Sequence, residues 1–208
     1  MEYKIIKLVV GQLQENCFIL FDENKDAFIV DPGASSENII EAIEKNSLNI
    51  KYILLTHGHF DHVGAVASLA KKFKAPVYLS KKDRKFLETP AEVRVSSFGM
   101  EIEAADVDVF VNDNDEIPFS EGLIKVIETP GHTLGSVCYL FNNYLFAGDT
   151  LFNGSIGRTD FPESDHSLMI ESLKKLKELD DEIYVLSGHG PESQMSYEKI
   201  SNPYLRNL

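Results

Sequence analysis

The chain has 208 residues, 43% of them hydrophobic and 25% charged, the balance of a folded domain rather than a disordered or fibrous chain. Its formal net charge of −13 repels phosphate backbones and argues against a general nucleic-acid partner. No apolar run approaches the roughly 20 residues that cross a bilayer. The start, MEYKIIKLVVGQLQENCF, lacks the pattern of a signal peptide, so the expectation is a cytoplasmic protein without a membrane partner.

In chain order, β-branched and aromatic residues predict strands over 3–10, 16–22 and 26–30, and Asp31-Pro32-Gly33 reads as the turn that ends the third. Ser35 and Ser36 are placed to cap a helix over 36–46, with Ile39, Ile40 and Ile43 on one face. A buried strand, 52–56, runs directly into His57. A helix is expected over 62–74, with Val63, Val66, Ala67, Ala70 and Phe73 as its apolar face, followed by a strand over 76–80. Residues 81–102 carry no readable pattern. Strands return at 106–111, 123–129, 136–141 and 143–147, then a helix over 166–178, a strand over 183–186 and a short helix over 193–201. Helices interleaved with strand groups suggest two sheets packed face to face with helices outside.

Cys17 and Cys138 lie in apolar strand runs and read as small core residues, neither a disulfide pair nor metal ligands. The charge is uneven. Residues 71–85 hold Lys71, Lys72, Lys74, Lys81, Lys82, Arg84 and Lys85 against Asp83, and residues 101–121 hold eight acids and no base. Both blocks read as solvated faces.

The chemistry concentrates in Thr56-His57-Gly58-His59-Phe60-Asp61-His62, at a predicted strand-to-helix junction. Imidazole suits zinc and related metals, and carboxylate adds a harder donor. His57 and His59, two apart, can point the same way from an extended or turning backbone. Asp61 and His62 fall where the turn enters the helix, placed for a second ion. Three single residues repeat the pattern: His132 in TPGHT, Asp149 in AGDT and His189 in SGHGP each stand beside glycine just past a predicted strand. His166 follows Asp165 at a predicted helix start and reads as structural or exposed.

THGHFDH resembles the signature of the metallo-β-lactamase superfamily, and TPGHTLGS, FAGDTLF and SGHGP resemble its later motifs in the same order, from about Leu8 to the C-terminus. LFAGDTLFNGSIGRTDFP and the ending GHGPES…NPYLR are most similar to short bacterial glyoxalase II-like (hydroxyacylglutathione hydrolase-like) hydrolases. The resemblance implies an α/β (α+β) fold, a four-layer αββα sandwich. It also implies one domain over 1–208, without the C-terminal helical domain of longer glyoxalase II enzymes. It implies His57, His59 and His132 on a first metal, Asp61, His62 and His189 on a second, and Asp149 bridging both.

Two divalent ions, zinc first with iron and manganese compatible, would bring a shared water to hydroxide near neutral pH. The expected reaction is attack of that hydroxide on the carbonyl of a small-molecule thioester such as S-lactoylglutathione, with Asp61 orienting it. Lactones and other esters are further candidates. Thr56, Thr133 and Thr150 are candidates to orient ligands or plain β-structure. Arg158 reads either as a contact to a substrate carboxylate, as the resemblance implies, or as a partner of Asp160 or of the backbone. The alternative is a mononuclear iron persulfide dioxygenase using His57, His132 and Asp149, whose fourth motif differs from the Gly-His-Gly-Pro here. A nuclease and a flavin-linked electron-transfer module fit less well. Oligomeric state stays open.

Overall fold

The structure, a computed structural model, describes residues 2–90 and 102–208, in two compact units, Met1–Phe110 and Val111–Leu208. The first carries a six-stranded sheet in the order β1 (Lys4–Val10), β2 (Glu15–Phe21), β3 (Asp26–Val30), β4 (Asn49–Leu54), β5 (Val77–Ser80), β6 (Val109–Val111). β1, β2 and β3 pair antiparallel, as short turns allow. β3–β4 and β4–β5 are parallel. The parallel pairs need crossovers, and helices supply them: α1 (Ser36–Lys45) between β3 and β4, α2 (Phe60–Val63) and α3 (Val66–Phe73) between β4 and β5. Ile39 and Ile43 of α1 and Val66 and Leu69 of α3 pack with Cys17, Ile19, Ile29, Ile53 and Val77 in one buried cluster. Alternate residues Phe18, Leu20, Phe28, Val30 and Leu54 are buried too, so the central strands read as continuous apolar runs.

The second unit holds a sheet in the order β14 (Ser193–Gln194), β13 (Tyr184–Ser187), β10 (Tyr144–Gly148), β9 (Val137–Phe141), β8 (Gly122–Glu128), β7 (Glu116–Phe119). It also has a small hairpin of β11 (Leu151–Phe152) and β12 (Ser155–Ile156). α5 (His166–Lys177) buries Met169, Leu173 and Leu176 with Ile127, Cys138, Leu145 and Val185. α6 (Met195–Ser201) adds Met195 to the same cluster. Both cysteines are buried, and neither is in a disulfide. No helix among the described residues is long and apolar enough to cross a membrane.

Several expected boundaries shift. The helix expected over 62–74 is two, because the Ala65 N–H leaves the helical ladder to donate to the Pro32 carbonyl at 2.9 Å. Ser35 occupies the N-cap position of α1 in a left-handed conformation, φ 54°, and makes no side-chain cap, which needs an extended backbone. β4 begins at Asn49 and ends at Leu54, not 52–56, and helix 193–201 opens with the two residues of β14. Residues 81–88 form a 3-10 turn, Lys81–Asp83, and α4 (Arg84–Glu88), while residues 91–101 of the unreadable stretch lie outside the described residues. β7 lies at a sheet edge, where Pro118 removes one donor and blurs the strand pattern. β11 and β12 are too short to carry one.

Asp165 caps α5, accepting from Ser167 N–H at 2.8 Å and Leu168 N–H at 3.0 Å. Asp165→Ala should therefore cost about 1 kcal/mol of stability, read as a lower urea midpoint with unchanged slope. A midpoint equal to the wild type's would show that the cap contributes nothing.

Candidate functional site

Parallel neighbours β3 and β4 end side by side, Val30 beside Leu54, so the residues just past them meet. Asp31 follows β3 and Thr56 follows β4. Asp31 is buried with φ 49°, a left-handed conformation that aspartate tolerates better than most residues. Its Oδ1 accepts from Thr56 N–H at 2.7 Å, and its Oδ2 accepts from the Thr56 hydroxyl at 2.6 Å and from His62 Nδ1 at 3.0 Å. An ionised carboxylate only accepts, so the proton on each of these bonds belongs to its partner. The Thr56 hydroxyl has then used its single hydrogen and must accept from His57 Nδ1, 3.1 Å away. His57 and His62 are both held with hydrogen on Nδ1 and the lone pair on Nε2.

The imidazoles are packed close, edge-on or tilted to one another. The His57 ring lies 4.1 Å from that of His62 and 4.8 Å from that of His59, centroid to centroid. His62 Nε2 lies 3.9 Å from Asp61 Oδ2. Asp31, His57 and His62 bring donor atoms within 4.8 Å of one another, in the manner of a metal triad. The hydrogen bonds of Asp31 instead make it the group that orients the two imidazoles, as carboxylates behind metal-ligating histidines do. The loop is pinned from below, with Gly58 N–H donating to buried Asp83 at 3.0 Å and His62 N–H to the His59 carbonyl at 2.9 Å. A Cβ at Gly33 would overlap the Asp61 carbonyl oxygen, so the turn after Asp31 must be glycine to pass beneath the loop.

In the second unit, β8 and β10 are each antiparallel to β9, and β13 is parallel to β10. β8, β10 and β13 therefore run the same way, and the residues beyond their C-terminal ends, His132, Asp149 and His189, share one end of the sheet. Gly188 N–H donates to the Gly148 carbonyl at 2.8 Å, locking the last two together. His132 Nε2 lies 3.4 Å and His189 Nε2 3.8 Å from the same oxygen, Asp149 Oδ2. His132 Nδ1 donates to the Arg158 carbonyl at 2.9 Å, which fixes its lone pair on Nε2. A lone pair and a carboxylate oxygen repel at that separation, and a cation between them removes the repulsion. Imidazole nitrogen and carboxylate oxygen are the donor set that zinc and related metals take, so these residues fit a metal. A Cβ at Gly157 would overlap the Asp149 carbonyl oxygen and press on His132, so glycine lets the β12 end approach both.

His57, His62 and His132 are buried, while His59, Asp61, Asp149 and His189 are half-buried and open to water. Thr56 does orient a histidine. Thr133 bonds Ser136 at 2.9 Å within one turn, and Thr150 bonds Thr129 at 3.0 Å, tying together the segments that follow β10 and β8. His166 is exposed and bonds Thr159 at 3.1 Å. Arg158 makes a two-pronged pair with Asp160 at 2.6 and 2.7 Å and lies 4.2 Å over the Phe161 ring. The hydrogen bond from Arg158 holds the Asp160 carboxyl below its ordinary range and raises the guanidinium further. Asp31 and Asp83 were not among the residues expected to matter. The signal for Asp31 was present, because like Asp149 it is an acid just past an apolar strand, but Asp31-Pro32-Gly33 is explained equally well as a turn.

Replacing Asp31 by Asn puts an amide where Thr56 and His62 need an acceptor. Asp31→Asn should weaken metal binding by about tenfold to a hundredfold, measured by competition with a chromophoric chelator. Wild-type affinity in that variant would show that Asp31 does not set the imidazoles.

Residues 10–189 match the family described as the Metallo-beta-lactamase superfamily, a span that contains all seven expected ligands. The chain is 39% identical to the hydroxyacylglutathione hydrolase GloC of Haemophilus influenzae over 201 residues, 94% of this chain and 95% of the relative. Among solved structures, that of BLEG-1 B3 metallo-beta-lactamase superposes with a TM-score of 0.92 at 37% identity, covering 97% of this chain and 99% of the other. TTHA1623 in a di-iron-bound form gives 0.87 at 33% identity, covering 96% and 100%. With the family match spanning most of its length, the chain belongs to the metallo-β-lactamase superfamily of metal-dependent hydrolases.

Proposed function

We propose that the protein hydrolyses small-molecule thioesters of the hydroxyacylglutathione class with two metal ions, zinc in the first instance. The observation that carries this reading is the convergence of two imidazole Nε2 atoms on one oxygen of Asp149, which supports a bridging role for that carboxylate. In this reading His57, His59 and His132 hold one ion, Asp61, His62 and His189 the other, and Asp149 both. The hydrolase name of the 39% identical relative supports the thioester class. The di-iron form of TTHA1623 supports two metals and keeps iron as a second candidate beside zinc. A persulfide dioxygenase is not favoured, because it leaves Asp61, His62 and His189 without a task.

When bound, the metals supply Lewis acidity that makes water nucleophilic near neutral pH and polarises a carbonyl oxygen. The chain supplies the rest. His57, His62 and His132 present Nε2, because their Nδ1 atoms are taken up by Thr56, Asp31 and the Arg158 carbonyl. Asp61, partly exposed, orients the attacking water through its carboxylate. Arg158 receives the substrate's carboxylate, which must take the place of Asp160 on the guanidinium fork.

The test is elemental analysis of purified protein together with a panel of S-lactoylglutathione, simpler thioesters, lactones and a β-lactam. Two metals per chain and turnover of S-lactoylglutathione are expected. Turnover confined to β-lactams would install the reading suggested by the 37% identity to BLEG-1 B3 metallo-beta-lactamase. Asp149→Ala should lower occupancy of both metals and abolish turnover, and full occupancy in that variant would refute the bridge. Arg158→Ala should raise KM for anionic thioesters more than for neutral esters. Equal changes would leave Arg158 as a partner of Asp160 alone.

A further inference from the structure

The C-terminal motif NPYLR lies past the last expected ligand, His189, and the reaction proposed above gives it no part. Asn202 and Glu198 are both fully buried. Asn202 Nδ2 donates to Glu198 Oε2 at 2.7 Å, to the Ser155 carbonyl at 3.0 Å and to the Phe152 carbonyl at 3.4 Å. Glu198 accepts from Gly154 N–H, with its nearer oxygen at 3.1 Å. The Asn202 Oδ1 is itself held by Tyr204 N–H at 3.0 Å, which sets the amide the right way round. One carboxylate and one amide thus grip both strands and the turn of the β11–β12 hairpin.

That hairpin touches the candidate ligands at both of its ends. Phe152 presents its ring edge-on to His189, centroids 6.2 Å apart. Ser187, two residues before His189, donates its hydroxyl to the Leu151 carbonyl at 2.7 Å. On the other side the chain leaves β12 through Gly157 to Arg158, whose carbonyl fixes the His132 tautomer. A hairpin with two-residue strands cannot hold its own position, and the buried pair does so from outside.

We propose that Glu198 and Asn202 are positioning residues for the metal centre. By clamping the β11–β12 hairpin they set the contacts that orient His132 and His189, so the C-terminal segment tunes metal affinity without supplying a ligand. This rests on the ligand assignment above.

The experiment compares zinc affinity, by chelator competition, with thermal stability in wild type, Asn202→Ala, Glu198→Gln and Leu173→Ala. Leu173 is buried in the core around α5 and serves as a stability control. Asn202→Ala, folded by circular dichroism at the assay temperature, should bind zinc at least about tenfold more weakly. Glu198→Gln should lose less, since its amide oxygen still accepts from Gly154. Leu173→Ala should lose melting temperature and keep its affinity. Unchanged affinity in folded Asn202→Ala, or losses that follow melting temperature alike in Leu173→Ala, would overturn the proposal. If Asn202→Ala does not fold, Glu198→Gln decides by the same comparison. A wild-type protein that binds no zinc would overturn the ligand assignment itself, and the proposal with it.

Discussion

A carboxylate that can only accept hydrogen bonds sits beneath the histidine loop, and much of the site's chemistry follows from it. Asp31 receives the Thr56 amide, the Thr56 hydroxyl and His62 Nδ1. That leaves no freedom in where the protons go, so His57 and His62 both present Nε2. A neutral imidazole with the wrong tautomer would offer a hydrogen where a cation needs a lone pair. The burial of Asp31 strengthens the arrangement, because no water competes for its oxygens.

The second unit solves the same problem with backbone instead of a carboxylate. The Arg158 carbonyl orients His132, and parallel β10 and β13, with the Gly188–Gly148 hydrogen bond, place Asp149 and His189 together. Glycine is required where these supports come closest: Gly33 beneath Asp61 and Gly157 against Asp149. Strand ends, close backbone packing and fixed tautomers give each unit its own preorganised set of donors.

Arg158 shows how one side chain serves two ends. Its carbonyl orients His132 from within the fold, while its guanidinium lies exposed on Asp160 and Phe161. A substitution of its side chain leaves the carbonyl in place, so the two roles are separable. The exposed pair itself adds little to stability, since water and salt screen it.

The residue types by themselves determined much. Histidine and aspartate at a strand-to-helix junction, with three further polar residues beside glycine past strands, mark the candidate ligands, since few other arrangements place such residues together. Apolar runs with glycine and proline punctuation were enough for the main strands and for α1 and α5. What a linear pattern does not carry is pairing between distant segments. Asp31 and Thr56 are 25 residues apart and meet only because β3 and β4 lie parallel. The break between α2 and α3 comes from a hydrogen bond to Pro32. The grip of Asn202 on the β11–β12 hairpin spans 47 residues. Which residues are candidate ligands is a matter of side-chain chemistry and local spacing, and the sequence states it. Tautomer, orientation and support depend on which backbone groups the fold brings near, and only the tertiary structure decides them.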